Sequence, residues 1–186
     1  MRFKRMKTYA VLLRGVNVGG KNKVPMSELR ECLEGLGYSD VVTYIASGNV
    51  LLKSQKKQNA IKDEIERALP KKFKLDSELI KVLVLTRAAL KAVITKKPAG
   101  FGETPKKYHS DAVFLMDFDV SQAMKVFNPR EGVDTVWPGK GVIYSQRLSS
   151  QRTKSRLNRI MGTPAYKQMT IRNWNTVTKL FALMGT

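Results

Sequence analysis

Apolar and polar positions along the chain change period several times, and each change marks an element. Residues 8–14, TYAVLLR, form a nearly unbroken apolar run, which predicts a buried strand. Past a glycine-rich loop, Met26, Leu29, Leu33 and Leu36 recur at helical spacing, with Gly37 placed to end the helix. Residues 41–45 and 49–53 are strand-like runs joined by a tight turn around Ser47 and Gly48, the pattern of an antiparallel hairpin. Ile61, Ile65, Ala68 and Leu69 mark a second helix that ends at Pro70 or soon after, and residues 79–86, LIKVLVLT, a fourth strand. The order βαββαβ is that of a ferredoxin-like unit.

The pattern then returns. A third helix is expected over residues 87–96, with Thr86 as its N-cap. Residues 96–110 are rich in Pro, Gly and Lys and read as a linker. A strand in DAVFLMDF follows, then a short helix at 120–127 and a hairpin turning at Pro138, Gly139, Lys140 and Gly141. A helix over 153–162 and a short strand around 168–171 lead to a closing helix with Trp174, Val177, Phe181 and Met184 on one face. The expected fold is α+β: two ferredoxin-like halves in tandem, with antiparallel sheets and helices on one face. The first half spans 1–96, the linker 97–110, and the second half, with the closing helix, 111–186.

Charge changes the picture. Lys and Arg number 34 against 15 Asp and Glu, for a net charge of +19 over 186 residues. After Asp134 there is no carboxylate in 52 residues, which carry Lys140, Arg147, Arg152, Lys154, Arg156, Arg159, Lys167, Arg172 and Lys179. Such a region sets up a positive potential that gathers anions; the plainer alternative is a solvated, lysine-rich surface. No apolar run is long enough to span a membrane. The basic then apolar start, MRFKRMKTYAVLL, lacks a small-residue cleavage site and reads as a basic arm leading into a strand. One cysteine, Cys32, rules out an intrachain disulfide, and a cytoplasmic setting is expected.

The loop LLRGVNVGGKNKVP contains G-x-x-x-x-G-K, from Gly15 to Lys21. A nucleotide phosphate loop needs a Ser or Thr hydroxyl for magnesium after the lysine, and a helix starting there. Asn22 stands at the hydroxyl position, and Pro25 marks a helix start four residues past Lys21. The predicted hairpin also excludes two parallel neighbouring strands. The glycines at 15, 19 and 20 could instead form an anion nest with Arg14, Lys21 and Lys23, or serve turn geometry alone.

Other chemistry is thinly represented. His109 is the only histidine, so no histidine zinc cluster is available, and no metal or cofactor is expected. Cys32 lies beside an apolar helix stripe. Asp111, Asp117, Asp119 and Asp134 are candidate carboxylates, with capping and turn roles as the alternative. The third strand lacks the stacking aromatics of an RNA-reading ferredoxin-like sheet. Arg152, Arg156 and Arg159, with Lys154 beside them, fall at helical spacing in QRTKSRLNR and suit phosphate contacts. With Arg147 they make a candidate nucleic-acid patch.

Two stretches, R-G-x-N-x-G-G-K-N with Y-I-x-S-G-N near the start and T-x-R-N-W-N-T-V near the end, together resemble a bacterial family of uncharacterised proteins, domain-of-unknown-function family 1697. The resemblance implies a two-part α+β structure with ferredoxin-like halves, and no established activity. It singles out Arg14, Asn17, Gly19, Gly20, Lys21, Asn22, Ser47, Gly48, Asn49, Thr170, Arg172, Asn173, Trp174 and Thr176. The polar members of this set suggest an anion site, with Thr170 capping the last helix and Arg172 and Asn173 in its first turn. The alternative is that they bond each other and join the halves. The expected function is anion binding, with nucleic acid contacted without sequence specificity as the leading partner. An enzyme acting on a phosphorylated or nucleotide-like small molecule and a scaffold for an acidic protein are the alternatives.

Overall fold

The first apolar run forms β1 (Lys7–Arg14). The chain then builds α1 (Met26–Gly35), β2 (Ser39–Tyr44), β3 (Asn49–Ser54), α2 (Gln58–Lys72) and β4 (Lys81–Thr86). The computed structural model describes residues 5–76 and 80–185. Residues 1–4 of the expected basic arm, and Leu79, expected to open the fourth strand, lie outside the described residues. The four strands pair antiparallel in the order β2-β3-β1-β4, the ferredoxin-like arrangement.

The two helices pack on one face of this sheet. Tyr9, Val11 and Leu13 of β1 lie with Val50, Leu52, Val82 and Val84 against Leu29 and Leu33 of α1 and Ile61, Ile65 and Leu69 of α2. That is the period of two of a strand meeting the stripe of a helix. Pro25 holds φ at −61° before the first turn of α1, and Gly37 at φ +85° follows its end, with its N–H on the Glu34 carbonyl. Pro70 sits inside the last turn of α2, which runs on to Lys72.

The second half repeats the order. After α3 (Arg87–Thr95) come β5 (Tyr108–Leu115), α4 (Val120–Val126), β6 (Asp134–Gly139), β7 (Val142–Leu148), β8 (Met169–Asn173) and α5 (Trp174–Leu183). Its antiparallel sheet has the order β6-β7-β5-β8. Thr86 Oγ1 accepts from the Ala89 amide at the start of α3, and Asp119 accepts from the Ser121 and Gln122 amides at the start of α4.

One expected element differs. Residues 153–162 do not form an α-helix; the chain makes three short 3₁₀ turns, Ser149–Lys154, Leu157–Gly162 and Pro164–Gln168. Ser155 and Thr163 are extended, with ψ of 142° and 149°, and each ends a turn on an i→i+3 bond, to the Arg152 and Ile160 carbonyls. Arg152 and Arg159 therefore sit on separate turns, not on one helix face. Leu157 and Ile160 still reach the core, packing with Val113, Leu115, Ala123, Phe127, Ile143 and Met169.

By internal contacts the chain divides into two units, residues 1–90 with 180–186, and residues 91–179. The segment expected as a linker, 97–110, lies in the second unit, where Phe101 is fully buried and Tyr108 opens β5. Phe101 meets Trp137, Tyr144 and Trp174 edge-to-face, with centroids 6.0, 5.1 and 5.0 Å away. Among the described residues no helix is long and apolar enough to cross a membrane.

Candidate functional site

The glycine loop folds as a small β-hairpin. Val18 and Lys21 pair as an isolated antiparallel bridge, with the Lys21 amide on the Val18 carbonyl at 3.0 Å, and the Asn17 amide reaches the Asn22 carbonyl at 2.9 Å. Gly19 and Gly20, the two central residues, have φ of +57° and +75°, the pattern of a tight turn that matches strand twist. Asn17 and Asn22 also hold positive φ, at +54° and +49°, which asparagine tolerates better than most residues.

Their amides brace the base of this finger. Asn17 Nδ2 donates to the carbonyls of Val24 (2.9 Å) and Ala46 (2.8 Å), and its Oδ1 accepts from the Val24 amide at 2.8 Å. Asn22 Nδ2 donates to the Gly15 carbonyl at 2.8 Å, and its Oδ1 accepts from the Asp76 amide at 3.0 Å. Both asparagines expected to meet an anion are thus engaged with backbone. Lys21 and Lys23 are exposed, Arg14 is half-buried at the end of β1, and α1 begins only at Met26.

The 45–48 turn lies alongside through the Asn17–Ala46 bond. Asn49 is fully buried and donates to the Tyr44 carbonyl at 3.2 Å and to Ser47 Oγ at 2.9 Å. Gly48, at φ +72°, passes so close to β1 that a Cβ would stand 2.9 Å from Leu13 Cβ. The S-G-N motif is explained by these contacts: a buried amide, a hydroxyl that receives it, and a residue without a side chain.

The C-terminal motif belongs to the second unit. Thr170 does not cap the last helix. Thr170 and Arg172 lie in β8 and both are buried, while Asn173 Oδ1 accepts from the Asn175 amide at 3.0 Å and so caps α5. The strand runs two residues further than its few apolar side chains suggest, because β8 pairs with β5 as far as Asn173 opposite Asp111. Arg172 Nη1 donates to Thr170 Oγ1 and to the Ile171 carbonyl, each at 2.9 Å. Burial lowers the guanidinium pKa to about 10, with Tyr166 opposing the shift, so it stays charged at neutral pH.

The candidate basic patch divides. Arg152, Lys154 and Arg159 are exposed, as is Lys167, and Arg156 is half-buried. Arg147 is buried in β7 and donates from Nη1 to Asn158 Oδ1 at 3.0 Å, so it does not join a surface patch. The carboxylates closest in the sheet are turned inward. Asp134 is buried, and its Oδ2 accepts from the amides of Arg130 (3.0 Å) and Arg156 (2.8 Å).

A further polar group was not assembled by sequence reading. His109, Arg147 and Asp134 stand in one cross-strand row of β5, β7 and β6, and Asp111 and Ser145 in the next. His109 Nε2 lies 3.0 Å from Asp111 Oδ2. Burial raises the Asp111 pKa, and the charges of His109 and Arg147 oppose that shift. An imidazole held by a carboxylate is equipped for proton transfer, and His109 lines a cleft of about 100 Å³ with Tyr108, Ser110, Asn173 and Asn175. The signal was present in the period of two: His109, Asp111, Val113 and Leu115 share one face of a strand that starts within the expected linker. Among the described residues no three His, Cys, Asp or Glu gather as metal ligands would.

Comparison with known proteins gives a family and a fold. A family model described as a protein of unknown function (DUF1697) matches residues 6–144. Among solved structures, the conserved bacterial protein SP0830 from Streptococcus pneumoniae is similar, with a TM-score of 0.80 and 25% identity over 98% of this chain and 100% of that one. No curated protein matches the chain.

Proposed function

The chain belongs to the DUF1697 family of proteins of unknown function, and from that premise, which supplies no activity, we propose that it binds nucleic-acid phosphates without sequence specificity. The observation that carries this reading is the exposed positive charge of the stretch after Asp134, in which no carboxylate occurs. Arg152, Lys154, Arg159 and Lys167 project around the buried Leu157 and Ile160 in a stretch without a carboxylate. Asp134 and Asp111, which could offset them, are engaged within the sheet. Phosphate contacts of this kind position a nucleic acid without reading its bases. Lys21 and Lys23 add exposed charge on the first unit. The single cysteine suits a reducing, cytoplasmic setting. An enzyme using Arg172 on a phosphorylated substrate is less well supported, because that guanidinium is buried with donors on its own strand.

Neutralising four phosphates releases condensed counterions, so affinity for a DNA 24-mer should fall roughly a hundredfold between 50 and 200 mM salt. Fluorescence anisotropy across that range measures the slope. Replacing Arg152, Lys154, Arg159 and Lys167 together by Gln should flatten it by about three to four. No detectable binding at 50 mM, or the same affinity at 200 mM, overturns the proposal and favours an acidic-protein scaffold.

A further inference from the structure

The finger at residues 17–22 is a probe-like feature that the phosphate reading leaves unused. Its tip exposes an apolar side chain: Val18 is 62% exposed, more than any other large hydrophobic residue among those described. In an antiparallel bridge the two partners project to the same face, so Val18 stands beside the exposed ammonium chain of Lys21. The turn itself, Gly19–Gly20, carries no side chains, and a Cβ at either would meet nothing within 4 Å. The base is held by five hydrogen bonds of the Asn17 and Asn22 side chains, three donated and two accepted, so the finger is braced against bending.

We infer that this finger seats in the major groove of B-form DNA, with Val18 against thymine methyl groups and Lys21 and Lys23 on the flanking phosphates. The inference rests on the nucleic-acid reading and narrows it to duplex DNA. The dimensions agree. A two-stranded ribbon is about 5 Å between its chains and enters a major groove about 12 Å wide. Val18 and Lys21 stand one residue past the Asn17–Asn22 rung and the Gly19–Gly20 turn two residues past it, about 3.4 and 7 Å at the rise of a strand, against a groove depth of about 8.5 Å. The thymine C5-methyl is the apolar group that the groove presents, and an aliphatic side chain is its usual partner. The major groove of A-form RNA is deep and narrow, and does not admit side chains. Charge complementarity commits the tip to this partner: an apolar tip flanked by lysines, on a chain of net charge +19, suits a polyanion.

The test removes the C5-methyl from the DNA and both γ-methyls from Val18. The intact protein is titrated with two 24-base-pair duplexes, one of A·T pairs and one in which every thymine is replaced by uracil. Each is repeated with Val18→Ala, whose exposed position leaves folding intact, as a thermal melt verifies. Wild-type protein should bind the thymine duplex about fourfold more tightly than the uracil duplex, the worth of one buried methyl. Val18→Ala should bind both alike, with an unchanged salt slope. A wild-type protein that binds both duplexes equally, or a methyl preference that survives Val18→Ala, overturns the inference while leaving the phosphate reading in place. Failure to bind either duplex at 50 mM salt overturns both.

Discussion

Phe101→Ala should lower the stability of the folded protein by about 3–5 kcal/mol, the range for deleting a buried aromatic side chain. Phe101 is fully buried among other rings: it meets Trp137, Tyr144 and Trp174 edge-to-face, and Tyr144 and Trp174 also meet each other. Edge-to-face pairs add roughly 0.5–1.5 kcal/mol each beyond area burial. The cavity cannot close easily, because Tyr144 is fixed by a 2.7 Å hydrogen bond to the Val93 carbonyl and the loop is tied by the Gly102 amide to Gln146 Oε1. A domain of this size is stable by only about 5–15 kcal/mol. A thermal melt should therefore drop by about 10 °C. Trypsin should also cut faster after Lys96, Lys106 and Lys107, which flank this ring in the chain. A melt within a degree or two of wild type, with unchanged proteolysis, would show that the loop is not held by this cluster.

Phe101 also shows where sequence reading loses information. The stretch KKPAGFGETPKK has the composition of a linker, and one phenylalanine among Gly, Pro and Lys does not announce a partner. Its burial depends on three rings from β6, β7 and α5, which period and propensity cannot bring together. The strands were legible for the opposite reason. Residues 9–13 of β1 are an unbroken apolar run, all buried, and the spacing of Leu29 and Leu33 needs no tertiary knowledge to be read as helical. Residues 149–168 fall between. The spacing of Arg152, Arg156 and Arg159 fits a helix, yet only Leu157 and Ile160 are there to anchor one, and Gly162 and Pro164 follow closely. Of the candidate site, the loop motif was legible as a tight turn with asparagines tolerating positive φ. What Asn17 and Asn22 bind was not, because Val24, Ala46 and Asp76 reach them only in the folded chain. The His109–Asp111 pair was hidden by placing the linker boundary inside β5.

Gly48→Ala should cost about 3–4 kcal/mol, whereas Gly19→Ala should cost about 1–2 kcal/mol, although both glycines have positive φ. The backbone term is shared: an L-residue in the left-handed region loses roughly 1–2 kcal/mol. The neighbours differ. A Cβ on Gly19, at φ +57°, would meet nothing within 4 Å. A Cβ on Gly48, at φ +72°, would stand 2.6 Å from Val16 Cγ2, 2.9 Å from Leu13 Cβ and 3.2 Å from the Leu13 carbonyl oxygen. Leu13 is a core residue of β1, and its amide bonds the Gly48 carbonyl at 2.8 Å, so the strand cannot retreat without breaking that bond. Forced overpacking of this kind adds roughly 1–3 kcal/mol. The damage should spread to the finger, because displacing the turn pulls the Ala46 carbonyl from Asn17 Nδ2. Urea unfolding of the two variants gives the difference directly. If Gly48→Ala proves no worse than Gly19→Ala, the turn is free to move away from β1, and the 45–48 segment does not brace the loop.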